Sequence, residues 1–189
     1  MRLLVFLGNP GPEYKRTRHN LARMLIDRAP ITPAPVWQEK FKGSFSRCRV
    51  GGGDAVLLRP DTFMNRSGES VQTALHFFKA DPDALLVAHD DVELDFGTAG
   101  FKRGGGLAGH NGLRSIAGSI GTRDFLRFRL GIGRPLRGEV ASHVLGKFTE
   151  AESGLLPDFL DRAWALLEGG LQDIEKAVRD QAKIRLLEG

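Results

Sequence analysis

Disulfide chemistry is closed to this chain, which has one cysteine, Cys48. A single thiol excludes an internal bridge and fits a reducing compartment. No apolar run approaches the roughly 20 residues needed to span a bilayer. The first residues enter a strand pattern directly and lack the layout of a signal peptide. The expectation is a cytoplasmic protein without a membrane partner. Nucleotide fingerprints are missing as well: there is no Walker-type Lys-Ser/Thr, and no G-x-G-x-x-G follows the first strand. No G-x-S-x-G elbow supplies a serine nucleophile. Cys48 sits in a strand pattern without an obvious base, so a structural role is expected for it. No spacing matches a zinc site. Internal repeats and interdomain linkers are absent too, so residues 1–189 read as one domain.

What is present supports a packed core: 41% of the chain is apolar and 26% is charged. The net charge of +4 suits an acidic or nucleic-acid partner, although by itself it decides little.

The chain is organised around residues 8–20. The run Leu3-Leu4-Val5-Phe6-Leu7 carries no charge and is bounded by Gly8 and Pro10, as a strand buried on both faces would be. Asn9 follows the strand end. His19 precedes a helix that Asn20 can cap, with Leu21, Met24 and Leu25 on its apolar side. In open α/β sheets, ligands bind at such strand ends.

Further along, 30–36 is a proline-rich connector. Residues 44–50 and 55–59 read as a hairpin around Gly51-Gly52-Gly53-Asp54. A loop through Asn65 leads to a helix with Val71, Ala74, Leu75 and Phe78 on one face. A second buried strand, 85–88, ends at His89-Asp90-Asp91, and 99–103 forms another. The glycine-rich loop 104–109 opens onto His110-Asn111 and a helix carrying Leu113, Ile116, Ala117 and Ile120. Residues 126–132 alternate, with Arg127 and Arg129 on the polar face. A short helix is expected over 139–146. From Thr149 onward the chain reads as helical, interrupted at Gly169-Gly170. Its last segment sets Leu171, Ile174 and Val178 against Lys176, Arg179, Lys183 and Arg185. Strands alternating with helices predict an α/β fold. We expect a mixed, mostly parallel twisted sheet with helices on both faces and a helical C-terminal segment, 149–189, packed on it.

This topology gathers several polar loops at one sheet edge. A lone histidine at a helix start usually makes only a local hydrogen bond. With Asp90 nearby to fix its tautomer, His19 becomes a candidate base for water. Asp90 alone reads equally well as a turn or cap aspartate. Asn9, Asn65 and Asn111 can meet carbonyls or a developing oxyanion, yet Asn65 and Asn111 are placed to be plain N-caps. The 104–109 loop could take a phosphate at a helix N-terminus or serve as a lid. Lys102, Arg103 and Arg129 could clamp a phosphate, although basic residues on a strand face are more often simply solvated. His89, Asp90 and Asp91 could ligate a metal, but neighbours on a strand point to opposite faces.

Five motifs stand in order: Phe6-Leu7-Gly8-Asn9-Pro10-Gly11; Tyr14 with Thr17-Arg18-His19-Asn20; Phe63-Met64-Asn65-Arg66-Ser67-Gly68; Val87-Ala88-His89-Asp90; and Gly104 through Leu113. Phe128-Arg129-Leu130-Gly131-Ile132-Gly133 and His143 through Phe148 extend them. Together they resemble the bacterial peptidyl-tRNA hydrolases. The resemblance implies a monomeric, metal-free and cofactor-free α/β enzyme. Its substrate would be peptidyl-tRNA, cleaved at the ester joining the peptide to the 3′ ribose, which recycles tRNA from stalled translation. It also implies His19 as general base and Asp90 as its orienting partner. Asn9, Asn65 and Asn111 would hold the peptide and ester, Tyr14 and Met64 would line the site, and His110 would belong to the gate. Lys102 and Arg129 would grip the terminal tRNA phosphate. Two other functions remain open from the residues: a metal-dependent phosphoesterase or nuclease using His89, Asp90 and Asp91, and a tRNA- or ribosome-binding module without catalysis.

Overall fold

Alternation along the central strands builds two cores at once. In β1 (Arg2–Phe6), Leu4 and Phe6 enter one apolar cluster, while Leu3, Val5 and the following Leu7 enter another. The strand β5 (Leu85–Asp91) repeats this, with Leu86 and Ala88 on one side and Leu85 and Val87 on the other. Each such buried Leu, Val or Phe side chain contributes about 1.5–3 kcal/mol of transfer free energy. A sheet apolar on both faces must be covered on both faces.

The structure, a computed structural model, describes residues 1–188. Among them β2 (Gln38–Lys40), β3 (Gly43–Val50), β4 (Gly53–Pro60), β6 (Thr98–Arg103), β7 (Leu126–Gly131) and β8 (Ile184–Arg185) complete an eight-stranded sheet ordered β2-β3-β4-β1-β5-β7-β6-β8. The core β4-β1-β5-β7 is parallel, and both flanks are antiparallel. One face is covered by α1 (Leu21–Arg28), α5 (Glu150–Gly170) and α6 (Ile174–Asp180). The other is covered by α2 (Ser67–Phe78) and α3 (Asn111–Ile120). The short α4 (Val140–Leu145) stands at the sheet edge beside the turn that holds His19. No helix among the described residues is long and apolar enough to cross a membrane.

The expected α/β sheet with helices on both faces is present, and the 44–59 hairpin pairs in register from Gly43↔Pro60 to Val50↔Gly53. Strand β2, Gln38–Lys40, was not expected and follows the 30–36 connector. Three expectations need correction. The C-terminal segment is not wholly helical: α6 ends at Asp180, and β8 joins β6 at the sheet edge, so Lys183 and Arg185 lie outside the helix. Asn20 does not cap α1 with its side chain; its amide pairs with the Asn9 backbone instead. Arg127, expected on the polar face of its strand, is buried, being only 2% exposed.

The chain leaves β1 through α1 toward β4 and returns through α2 to β5 on the opposite side. Strand order therefore reverses about β1, and a crevice opens at the carboxyl ends of β1 and β5, where such sheets bind ligands.

Candidate active site

Asn9 stands just past β1 and Asp90 near the end of β5, so both reach the crevice from the sheet. His19 comes from a single 3-10 turn, Arg18–Asn20, leading into α1. That turn is fixed from three directions. Asn20 Oδ1 accepts from Asn9 N, and Asn20 Nδ2 donates to Asn9 O, both at 2.9 Å. Arg18 N donates to Gly146 O at 2.9 Å. The Arg18 guanidinium donates to Lys147 O and to Glu152, with Phe148 beneath it. The 143–148 motif, far away in sequence, thus holds the turn that aims His19.

His19 Nδ1 lies 2.9 Å from each oxygen of Asp90. The carboxylate can only accept, so Nδ1 carries the proton and Nε2 is left as the lone-pair nitrogen. Burial pulls the His19 pKa down, but the charge and hydrogen bond of Asp90 outweigh it and hold the value above 6.5. Burial would raise Asp90; His19 and His110 overcome this and hold its carboxyl far below the usual range.

His110 also bonds Asp90, its Nε2 lying 3.0 Å from Oδ1. Its Nδ1 accepts from Gly112 N at 3.1 Å and Leu113 N at 3.4 Å, so His110 is the N-cap of α3. Neither Asn65 nor Asn111 is a cap residue. Asn65 lies inside a 3-10 turn, Met64–Arg66, and Asn111 is the first residue of α3. Both are exposed and border the cleft. Asn9 Oδ1 accepts from Met64 N at 2.7 Å, which leaves the Asn9 Nδ2 donors as the free end of its amide.

The cleft has a volume of about 770 Å³ and is lined by every expected site residue: Asn9, Tyr14, His19, Met64, Asn65, Asp90, Lys102, His110, Asn111 and Arg129. Leu107 and Ala108 of the 104–109 loop border it, as do Val140, Ala141, Val144 and Leu145 around α4. Tyr14 packs edge-on against Phe63. Arg129 donates to Asp91 through Nε at 2.7 Å, so only its remaining N–H groups are available to a ligand.

Sequence reasoning missed Arg127. Its guanidinium donates to Gly106 O at 2.7 Å, and to Gly105 O and Arg123 O at 3.2 Å each. It ties down the glycine-rich loop. An arginine within an otherwise buried strand pattern was the available signal.

His89, Asp90 and Asp91 do not converge. His89 Nδ1 donates to Asp90 O, and Asp91 is engaged by Arg129 and by Glu93 N. Burial, then the neighbouring His110, push the His89 pKa far down, so His89 is neutral. His19 Nδ1, an Asp90 oxygen and His110 Nε2 do lie within 4.8 Å of one another. To ligate through Nε2, however, a neutral His110 would have to move its proton to Nδ1, against two backbone N–H donors. The trio is built for N–H···O bonds. Burial raises the Cys48 thiol pKa, which suits a structural residue rather than a nucleophile.

The family model "Peptidyl-tRNA hydrolase" matches residues 3–186. The chain belongs to the peptidyl-tRNA hydrolase family. A peptidyl-tRNA hydrolase of Sorangium cellulosum is 49% identical over 183 residues, 94% of this chain and 82% of that one. One from Geotalea uraniireducens is 47% identical over 169 residues, covering 89% and 88%. The crystal structure of the Acinetobacter baumannii peptidyl-tRNA hydrolase superposes with a TM-score of 0.82 at 37% identity, covering 96% of each chain.

Proposed function

We propose that His19 is the general base of a peptidyl-tRNA hydrolase and that Asp90 orients it. Family membership makes the activity hydrolysis of the ester in peptidyl-tRNA. The observation that supports the mechanism is the His19–Asp90 bond, which leaves Nε2 as the basic nitrogen beside the cleft. Water gives its proton to Nε2 as its oxygen attacks the ester carbonyl carbon. The tetrahedral intermediate collapses, and the departing 3′ ribose oxygen takes that proton back from the imidazolium. The peptide leaves as a carboxylic acid and the tRNA with a free hydroxyl. No protein nucleophile is needed.

In this reading the Nδ2 donors of Asn9 face the carbonyl oxygen where negative charge develops. Asn65 and Asn111 hold the peptide end, and Tyr14 and Met64 form the wall. Lys102 and the unengaged N–H groups of Arg129 take the tRNA phosphate. All these groups come from one chain, which supports action as a monomer. Peptidyl-tRNA as substrate supports a cytoplasmic place of work.

The test is release of a labelled N-acyl-aminoacyl group from tRNA by wild type and His19→Ala, with and without chelator. We expect fast, chelator-insensitive release that falls by roughly 10²- to 10⁴-fold in the variant, the contribution of a positioned base. Undiminished release by His19→Ala would overturn the assignment of the base. Loss on chelation would bring back a metal mechanism.

A further inference from the structure

His110 occupies an unusual electrical position. One ring nitrogen donates to the carboxylate that orients His19, and the other accepts from the first turn of α3. The ring is almost fully buried, 4.8 Å from the His19 ring and 5.1 Å from His89, centroid to centroid. Because Asp90 is ionised, Nε2 must hold the proton, which leaves Nδ1 bare for the cap. Both bonds therefore demand the same tautomer, and each favours the other. The residue also ends the 104–109 loop, whose far side is fastened by Arg127 to Gly105 O and Gly106 O.

We propose that His110 is a positioning residue of the reaction, one that links the loop and α3 to the carboxylate orienting His19. This rests on the reading of His19 as base. Two hydrogen bonds compete for the charge of Asp90. With His110 in place, part of that charge is spent on α3, and the remainder acts on His19. If the loop or the first turn of α3 moves, His110 is withdrawn and His19 faces the undivided carboxylate. The groups that face Asp90 are His19 from the turn before α1 and His110 from α3. His89, its neighbour on β5, is neutral, and Asp91 on the next position is paired with Arg129. No other charge in the surroundings substitutes for the His110 donor among the described residues.

Two substitutions separate the functions of the ring. His110→Asn keeps a good cap, since asparagine accepts from the same backbone N–H groups, but it is too short to reach Asp90. His110→Ala removes both bonds. The readout is the NMR titration of the His19 ring in the free protein, alongside the pH profile of kcat/KM for ester release. Both variants are expected to move the His19 midpoint, and with it the acid limb of the profile, to higher pH. Only His110→Ala should also lose helix stability. A His19 midpoint unmoved in the folded His110→Asn protein overturns the proposal. A loss confined to KM, with no movement of the limb, would show that His110 only touches substrate and overturns it as well. If the midpoint moves but His19→Ala remains active, the coupling stands and the reading of His19 as base is the one that fails.

Discussion

At the scale of residues, the site is a chain of forced protonation states. Asp90 is ionised, so the nitrogens facing it must both be donors, and His19 Nε2 is left as the lone-pair nitrogen. Asp90→Asn removes the charge while keeping the shape. It is expected to lower the His19 pKa, moving the acid limb of kcat/KM to lower pH, and to cut kcat by roughly 10²- to 10⁴-fold as the tautomer is lost. A kcat/KM profile over pH 5–9 or so measures both; an unmoved limb would mean that Asp90 does not act on His19. The same groups set how stability depends on pH. The Asp90 pKa is depressed in the folded state, so its contribution is whole above the unfolded value of 3.8 and is lost as pH falls through and below it. His19 is shifted the other way: its contribution is whole below 6.5 and is lost as pH rises past its folded value. Acid denaturation of Asp90→Asn should therefore be shallower than that of wild type below about pH 4. His19, Asp90 and the asparagines were legible in the sequence because strand ends and helix starts of an α/β sheet meet at one edge. The bond from His110 to Asp90 was not, because it depends on how closely α3 approaches β5, which no spacing records.

At the scale of elements, Gly68 matters through contact rather than flexibility. A Cβ on Gly68 would stand 2.1 Å from Ser115 O and 2.3 Å from Ser119 Oγ, so α2 and α3 could not keep their approach. Gly68→Ala is expected to cost about 1–3 kcal/mol in urea unfolding, as overpacking does, and to slow turnover by shifting the α3 end that carries His110. Gly118, on α3, has nothing within 4 Å of such a Cβ. Gly118→Ala should be neutral or stabilising by up to about 1 kcal/mol, which makes it the control. Arg127 is the corresponding device for the loop. Arg127→Met keeps volume but frees three carbonyls, so amide exchange across 104–109 should quicken and KM should rise more than kcat falls. Exchange unchanged in that variant would show that the loop is held by something else. The long apolar strands and amphipathic helices could be read because their periods are strong. Strands β2 and β8 could not: they are three and two residues long at the sheet edges and carry no buried alternation.

At the scale of the whole molecule, a parallel core between antiparallel flanks gives the enzyme two kinds of surface. The β1–β5 switch point makes a pocket for chemistry, and β6 and β7 present Lys102 and Arg129 beside it. If those cations hold a phosphate of a substrate common to all tRNAs, they should add affinity without reading sequence. Binding of tRNA is then expected to weaken as salt rises. Lys102→Ala and Arg129→Ala should each flatten the log Kd against log salt slope by about 1, while leaving kcat at saturating substrate nearly unchanged. The two need not be equal. Arg129 already gives its Nε to Asp91, so its removal leaves a largely buried carboxylate unpaired and costs stability that Lys102→Ala does not. Asp91→Asn separates the contributions: it frees Arg129 without discarding it, and should tighten tRNA binding at low salt. Looser binding in Asp91→Asn would show that the ion pair presents Arg129 to the phosphate rather than withholding it.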